Sequence, residues 1–355
     1  MSLWNSYFNI SLQIIILRLN EVMILKKNLT IKELAKIAEV SISTASKSLK
    51  DSNEISVATK SRILDLARRY NYRPNQVARS LRLNKSTVIG MLVPDNSNLY
   101  YAGLLRGAED IARENNFSII IGNTSENPEH EREQLNVMLE LRVAGLLTTP
   151  IQEENYYSIN IPFVILSRFN LDEFSKNCNY AINNDIKGAY LAAEHLIKQG
   201  KKNIFFISGP SEISIAKQRT EGLKKALEKY NLEFRQENIL YNYITVEQGY
   251  EALLTIARKC SPPFGVFCSS DNLAIGVLAA AREKNYRIPE DMGLVGYDDI
   301  NIIKYLDYPL TTIHQDIYQI GAQGAKILFD ILSEKPKNNL VNQVIFEPEL
   351  IIRKT

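Results

Sequence analysis

From residue 87 onward, short apolar runs alternate with longer segments whose apolar residues recur at helical spacing. That alternation limits the fold more than any other feature of the 355-residue chain. Strands are predicted at 88–93, 118–122, 143–148, 163–166, 203–207, 265–268 and 293–297. Helices are predicted at 104–115, 129–142, 187–199, 216–229, 246–259 and 273–284. Apolar strands this short, separated by helices, form parallel sheets covered on both faces. Two successive series imply two doubly wound α/β subdomains, with a ligand cleft at the carboxyl ends of their strands. The N-subdomain is expected to comprise about 87–183 and 315–340, and the C-subdomain about 184–314 and 341–355.

A different pattern precedes this core. Residues 26–85 hold eight lysines and six arginines against five acids, a surplus of +9, so the rest of the chain carries −7 within a total of +2. A small basic segment joined to a larger acidic body suits a polyanion-binding module. Within it, Thr30 followed by Glu33 is a capping-box signature, and Ile31, Leu34, Ala35 and Ala38 mark one helical face. After a turn at Glu39-Val40-Ser41 comes Ile42-Ser43-Thr44-Ala45-Ser46-Lys47-Ser48-Leu49. Two short helices that close together suit a helix-turn-helix. Ala45 and Leu49 face inward, whereas Ile42, Ser43, Ser46 and Lys47 face away. Small hydroxyls allow close approach and donate to phosphates, and Lys47 reaches a phosphate or a guanine edge. A third helix is predicted from Ser56. The segment opened by Pro74-Asn75 is basic and only eight or nine residues long, too short for a stable isolated helix. It suits folding on a partner, with Leu81 as an apolar wedge for a minor groove.

Three blocks now carry a resemblance: Leu29-Thr30-Ile31-Lys32-Glu33-Leu34-Ala35, Val40 to Lys47, and Tyr72-Arg73-Pro74-Asn75-Gln76-Val77-Ala78-Arg79-Ser80-Leu81. Their order and spacing resemble the headpiece and hinge of the lactose-repressor/galactose-repressor (LacI/GalR) family of bacterial transcription regulators. The resemblance implies an all-α helix-turn-helix headpiece at 29–73, a hinge helix at 74–86 and a periplasmic-binding-protein-like core at 87–355. It also implies base reading by Ile42, Ser43 and Lys47, support and phosphate contact by Ser41, Thr44 and Ser46, and minor-groove insertion of Ala78 and Leu81. Thr30, Tyr72 and Asn75 complete the expected DNA-facing set. Three residues depart from the family's usual pattern, among them Ala45 where valine is common. Glu39 stands where glycine is common, and Lys47, where arginine is common, lacks the bidentate fork arginine offers guanine.

Residues 1–28 fit nothing downstream. The apolar run at 10–19 has no preceding positive charge, no cleavage site, and is short for a bilayer span. Residues 1–22 are expected to be dispensable, with Met23 a natural start.

In the core, polar residues just after predicted strands are the effector-binding candidates: Tyr100 and Tyr101, Ser167 and Arg168, Ser270, Asp298 and, in a returning segment, Gln315. Arg219 joins them because 216–222 resembles the family's effector-binding arginine segment. Asn184 and Ile244 are secondary candidates. A cation at Arg219 and an anion at Asp298 across one cleft would clamp the hydroxyls of a polyol through charge-assisted hydrogen bonds.

The chain contains neither G-x-G-x-x-G after a strand nor a P-loop, and Cys178, Cys260 and Cys268 lack metal-ligand spacing. No enzyme activity, metal or cofactor is expected. The predicted function is a cytoplasmic, nucleoid-associated repressor that binds a pseudo-palindromic double-stranded DNA operator as a homodimer. A small effector, a sugar, would control it, with no membrane involved. Alternatives are control by a protein corepressor, or a solute-binding protein of a transporter.

Overall fold

The computed structural model describes residues 29–73, 86–156, 158–169, 177–333 and 341–355. The chain divides into a unit ending at Lys85 and a unit beginning at Ser86. The N-terminal extension and the hinge positions Asn75, Ala78 and Leu81 lie outside the described residues.

The smaller unit carries α1 (Ile31–Ile37), α2 (Ile42–Leu49) and α3 (Val57–Arg69). Each begins on a hydroxyl cap, which satisfies amides that a helix start leaves without intrahelical partners. Thr30 Oγ1 accepts from the Glu33 amide at 3.3 Å while the Thr30 amide donates back to Glu33 Oε2 at 2.8 Å. Ser41 Oγ accepts from the Thr44 amide at 3.0 Å, and Ser56 Oγ from the Thr59 amide at 3.3 Å. Leu34, Ala38, Ile63 and Ala67 form the core, with Val40, Leu49, Leu66 and Tyr72 packed around it. Arg62 donates to the Ala38 carbonyl at 2.8 Å, tying α3 to the end of α1. The turn at Glu39 has φ = 50°, in the left-handed region.

In the larger unit, β1 (Val88–Val93), β2 (Ser118–Asn123), β3 (Leu146–Thr148), β4 (Phe163–Ser167), β5 (Tyr180–Asn183) and β11 (Gln343–Phe346) form one parallel sheet. Its order is β11-β5-β4-β3-β1-β2. Against it pack α4 (Leu99–Glu114), α5 (Pro128–Glu140) and α10 (Ile317–Leu332). The second sheet contains β6 (Ile204–Ile207), β7 (Ile239–Leu240), β8 (Phe264–Cys268), β9 (Met292–Asp298), β10 (Thr312–His314) and β12 (Glu349–Ile351), in the order β12-β10-β9-β8-β6-β7. It is parallel except for β12, which runs antiparallel to β10. The helices α6 (Asp185–Lys198), α7 (Ser214–Lys229), α8 (Val246–Lys259) and α9 (Asp271–Glu283) cover it. In each sheet the first strand lies between the next two of its series, β1 between β2 and β3 and β6 between β7 and β8. Chain order reverses there, and such switch points open a crevice at the carboxyl ends.

The chain crosses between subdomains after β5, after β10 and between β11 and β12. This corrects the expected placement of 341–355 wholly in the C-subdomain. β11 pairs in parallel with β5, from Gln343 opposite Tyr180 to Phe346 opposite Asn183, so it extends the first sheet. A run of three apolar residues, Val344 to Phe346, suits a strand but does not say which sheet edge will pair with it. A second difference matters for function. Helix α4 starts at Leu99, not near residue 104, because Asn98 Oδ1 accepts from the Tyr100 amide at 3.0 Å and caps it. Tyr100 and Tyr101 therefore stand on a rigid first helical turn.

Helices α8 and α9 touch backbone to backbone through Gly249 and Gly276. A Cβ at Gly276 would lie 1.8 Å from the Val246 carbonyl oxygen, and one at Gly249 would lie 2.2 Å from that of Leu273. Gly276→Ala is expected to force the helices apart and cost about 1–3 kcal/mol, the usual penalty for overpacking, read as a lower denaturant midpoint. In the smaller unit, Glu39→Gly relieves a left-handed residue that costs roughly 1–2 kcal/mol, less the backbone entropy glycine loses. Headpiece stability is expected to rise by about 0.5–1 kcal/mol in urea denaturation of the isolated unit.

Candidate functional site

The carboxyl ends of both sheets face a cleft with about 690 Å³ of empty space, open to solvent. From the first subdomain come Asn98, Tyr100 and Tyr101 of α4, Glu126 after β2, and Ser167 and Arg168 after β4. From the second come Ser208 to Pro210 after β6, Arg219 and its neighbours on α7, Tyr243 and Ile244, Ser269 and Ser270 after β8, and Asp298 after β9. Seven of the eight predicted effector-site residues thus line one cleft. Gln315 is buried behind it, donating from Nε2 to Asp298 Oδ1 at 2.7 Å. Of the secondary candidates, Ile244 lines the cleft. Asn184 instead caps α6, accepting from the Lys187 amide at 3.1 Å.

The expected clamp takes a different form. Arg219 and Asp298 belong to the same subdomain, and Arg219 already has a buried partner. Its Nε donates to Asp185 Oδ1 at 2.7 Å, a second guanidinium nitrogen lies 2.7 Å from the same oxygen, and a third bonds the Ser269 carbonyl. The guanidinium carbon also sits 3.5 Å from the Tyr297 ring centroid, a cation–π contact. Burial pulls the Arg219 pKa down, but Asp185, Tyr297 and Asp298 outweigh it and hold it above its ordinary value. Asp185, at the first turn of α6, has no local sequence signal, because an acid at a helix start is ordinary.

Arg168, 2% exposed, donates to both oxygens of Glu126 at 3.0 and 3.1 Å. Glu126 follows β2, so the rule that selected polar residues after strands would have found it had the strand been read through Asn123. Tyr100 donates from its hydroxyl to Ser167 Oγ at 2.8 Å, and its ring meets Tyr101 edge to face at 5.2 Å. Arg168 Nε and Ser208 Oγ are buried without a hydrogen-bond partner among the described residues. Each such group costs about 1–3 kcal/mol unless something met in the cleft satisfies it.

Three lining residues occupy strained backbone, Glu126 at φ = 52°, Ser167 at φ = 70° and Asp298 at φ = 114°. Such strain concentrates where a scaffold positions functional groups. Burial pushes the Asp298 carboxyl up to about 7, against the lowering effects of Arg219 and the Gln315 hydrogen bond. Behind it, burial also raises Asp271, which accepts from Thr312 Oγ1 at 2.6 Å and the Ile300 amide at 2.9 Å.

In the smaller unit, Ile42 and Ser43 are exposed on α2 and Ser46 and Lys47 partly so, while Ala45 and Ser48 are buried. The Lys47 ammonium pairs with Glu54. The hydroxyls of Ser41 and Thr44 share a hydrogen bond of 2.9 Å, and Thr30 serves its own cap. Tyr72 packs half-buried on the headpiece core.

The sequence pattern of the family described as bacterial regulatory proteins, lacI family, matches residues 30–75, and that of a periplasmic binding protein-like domain matches 193–355. The HTH-type transcriptional repressor PurR of Histophilus somni (strain 2336) is 33% identical over 329 residues, spanning 92% of this chain and 98% of its own length. The chain belongs to the lacI family of bacterial regulatory proteins. It is a transcriptional repressor of that family, with a DNA-binding helix-turn-helix headpiece and a ligand-binding core, and not an enzyme. A lac repressor dimer bound to operator and the anti-inducer ONPF has the same fold, with a TM-score of 0.81 at 22% identity over 93% of this chain and 99% of that one. A LacI family regulator from Enterococcus faecium with bound ribose matches with a TM-score of 0.63 at 26% identity, over 75% and 97%. Among the described residues, no helix of the repressor is long and apolar enough to cross a membrane.

Asp298 makes repressor stability depend on pH. Its folded value near 7 exceeds an unfolded carboxylate's ~3.9, so the native state holds a proton the unfolded chain has lost. That contribution is complete below the unfolded value and disappears as pH rises through about 7. Chemical denaturation of the core from pH 4 to 8 is expected to show stability falling with a slope of up to roughly 1.4 kcal/mol per unit from this group. Asp298→Asn should flatten the slope, leaving the part due to Asp271.

Proposed function

We propose that the repressor binds a pseudo-palindromic operator as a homodimer and that a sugar in the cleft controls its operator affinity. The observation that carries the effector reading is the convergence, in one cleft, of charged and hydroxyl side chains from two separately wound sheets. Arg168, Arg219, Asp298, Ser167, Ser270 and Asn98 offer many donors and acceptors, and Tyr101 and Tyr243 offer aromatic faces. A polyol needs this combination, since its hydroxyls take charge-assisted hydrogen bonds and its ring packs on an aromatic side chain. For DNA, α2 directs Ile42, Ser43 and Lys47 to a major groove, with Ser41, Thr44 and Ser46 supporting phosphate contact, and Thr30, Tyr72 and Asn75 completing the surface. Ala78 and Leu81 enter the central minor groove from the hinge. A two-fold dimer reads two half-sites, so operator symmetry follows protein symmetry. Exposed Tyr305, Tyr308 and Ile302, beside a groove bordered by Ile275 and Leu278, supply an apolar surface for that dimer.

A ligand that binds the two subdomains together alters the relation between the first subdomains, to which the hinges attach. Effector and operator affinities are then reciprocally linked. A purine is the second reading, suggested by the name the curated relatives share and by the tyrosine-lined wall.

The test is a thermal-shift panel of sugars, purine bases and nucleosides on the repressor, followed by operator binding with each stabilising compound. A sugar is expected to raise the melting temperature and change operator affinity by roughly 5–150-fold, the usual range of allosteric coupling. Arg219→Ala should abolish both responses. Stabilisation by purines alone would select the second reading. A cleft-independent response, or none with regulation unaffected by Arg219→Ala, would leave control by a protein corepressor.

A further inference from the structure

We infer that the cleft accepts an uncharged effector and that Glu126 determines this, by neutralising the Arg168 guanidinium that would otherwise attract an anionic one. The inference rests on reading the cleft as the effector site. Four charged side chains among the described residues line it: Glu126, Arg168, Arg219 and Asp298. Both cations are already matched. Arg219 holds Asp185 through two nitrogens, bonds the Ser269 carbonyl and lies on the Tyr297 ring. Arg168 holds both oxygens of Glu126 through one terminal nitrogen. Asp298 adds a third carboxyl with no cation of its own, its described partner being the Gln315 amide. The local charge is therefore zero or negative.

A phosphorylated ligand brings roughly −1.5 to −2 of charge. Among the described residues of this cleft it meets no unmatched cation and must lie beside carboxylates, where repulsion between partly buried charges is screened less than in bulk water. A hydroxyl or carbonyl oxygen meets a different surface. Among the described residues, Ser167, Ser208 and Ser270 line the cleft with hydroxyls that suit neutral acceptors and donors.

The two arginines are not equivalent. The Asp185–Arg219 pair is buried, with side chains 2% and 5% exposed, and it ties helices and strands together. Glu126 is 20% exposed on the loop after β2, at φ = 52°, and its carboxylate contacts Arg168 from the edge of the cleft. Glu126→Gln keeps the side-chain shape and an oxygen acceptor for Arg168 while removing the charge that matches it. Glu126 is therefore a specificity-determining residue at the edge of the cleft.

The experiment measures inorganic phosphate binding by calorimetry at constant ionic strength, on the full chain and on Glu126→Gln. Matched pairs accompany it: D-ribose with ribose 5-phosphate, D-glucose with glucose 6-phosphate, and adenosine with its monophosphate. The wild type is expected to show no Arg168-dependent binding of phosphate or of any phosphorylated member. Glu126→Gln should tighten phosphate binding at least about tenfold, the worth of one charge-assisted contact. The gain should be absent in Glu126→Asp and lost in Glu126→Gln/Arg168→Gln. The inference is overturned if the wild type binds a phosphorylated member better than its neutral partner, or if folded Glu126→Gln gains nothing. Should Glu126→Gln fail to melt cooperatively, the wild-type pairs decide alone, by preference for the neutral or the phosphorylated member. Failure of every sugar to stabilise the wild type counts against the sugar reading, and leaves the phosphate comparison between variants to judge Glu126.

Discussion

The buried pair between Arg219 and Asp185 is the contact on which the cleft depends. It joins the first turn of α6 to α7, and through Arg219 reaches the end of β8 at Ser269 and the ring of Tyr297 in β9. Tyr297 in turn accepts from Asn183 Nδ2 at 3.1 Å, at the last residue of the first subdomain's β5. Gly188 leaves room for this ring, since a Cβ there would lie 2.2 Å from the Tyr297 hydroxyl. Buried ion pairs add little net stability, because desolvation cancels much of the attraction, yet losing one partner costs about 3–5 kcal/mol. The pair therefore acts chiefly on geometry. It fixes where one crossover enters the second subdomain and holds an arginine at the cleft surface.

Around this anchor, the cleft is built from backbone that the fold holds in unfavourable conformations. Ser167 and Asp298 end β4 and β9 with positive φ, and each is held by a hydrogen bond from another element, Tyr100 or Gln315. Gln315 lies on the crossover between β10 and α10, so the cleft carboxyl is bonded directly to a segment that links the subdomains. Gln218 adds a bond across the cleft, donating to the Phe169 carbonyl at 2.8 Å. Relative movement of the subdomains must disturb groups at the cleft itself, which is the physical requirement for coupling a ligand to a hinge.

The headpiece is organised on a different principle. Its core is small, and local signals do much of the work: three hydroxyl caps, a capping box and an arginine bonded to the end of α1. Because the caps span only three residues, they were legible in the sequence together with the helices they start, whereas the Arg62 bond, spanning 24 residues, was not. The outward direction of Ile42 and Ser43 follows from helical periodicity, as does the burial of Ala45. Ser48 reads as one more small hydroxyl, yet it is buried and donates to the Thr44 carbonyl at 2.8 Å.

By itself the sequence determined the division into a basic helical module and an α/β core. It also determined the strand–helix alternation, the family, and seven residues that line the cleft. Except for the family and Arg219, which rest on motif resemblance, these depend on periodicity, caps or position after a strand, and so on near neighbours in the chain. Tertiary structure alone decided that β11 extends the first sheet, that Asp185 neutralises Arg219 and that Glu126 neutralises Arg168. These pairings join residues 163, 34 and 42 positions apart. The physical reason is that a strand edge or a carboxylate carries no mark of its partner. Only the packed fold, by excluding water around them, makes one pairing better than the rest.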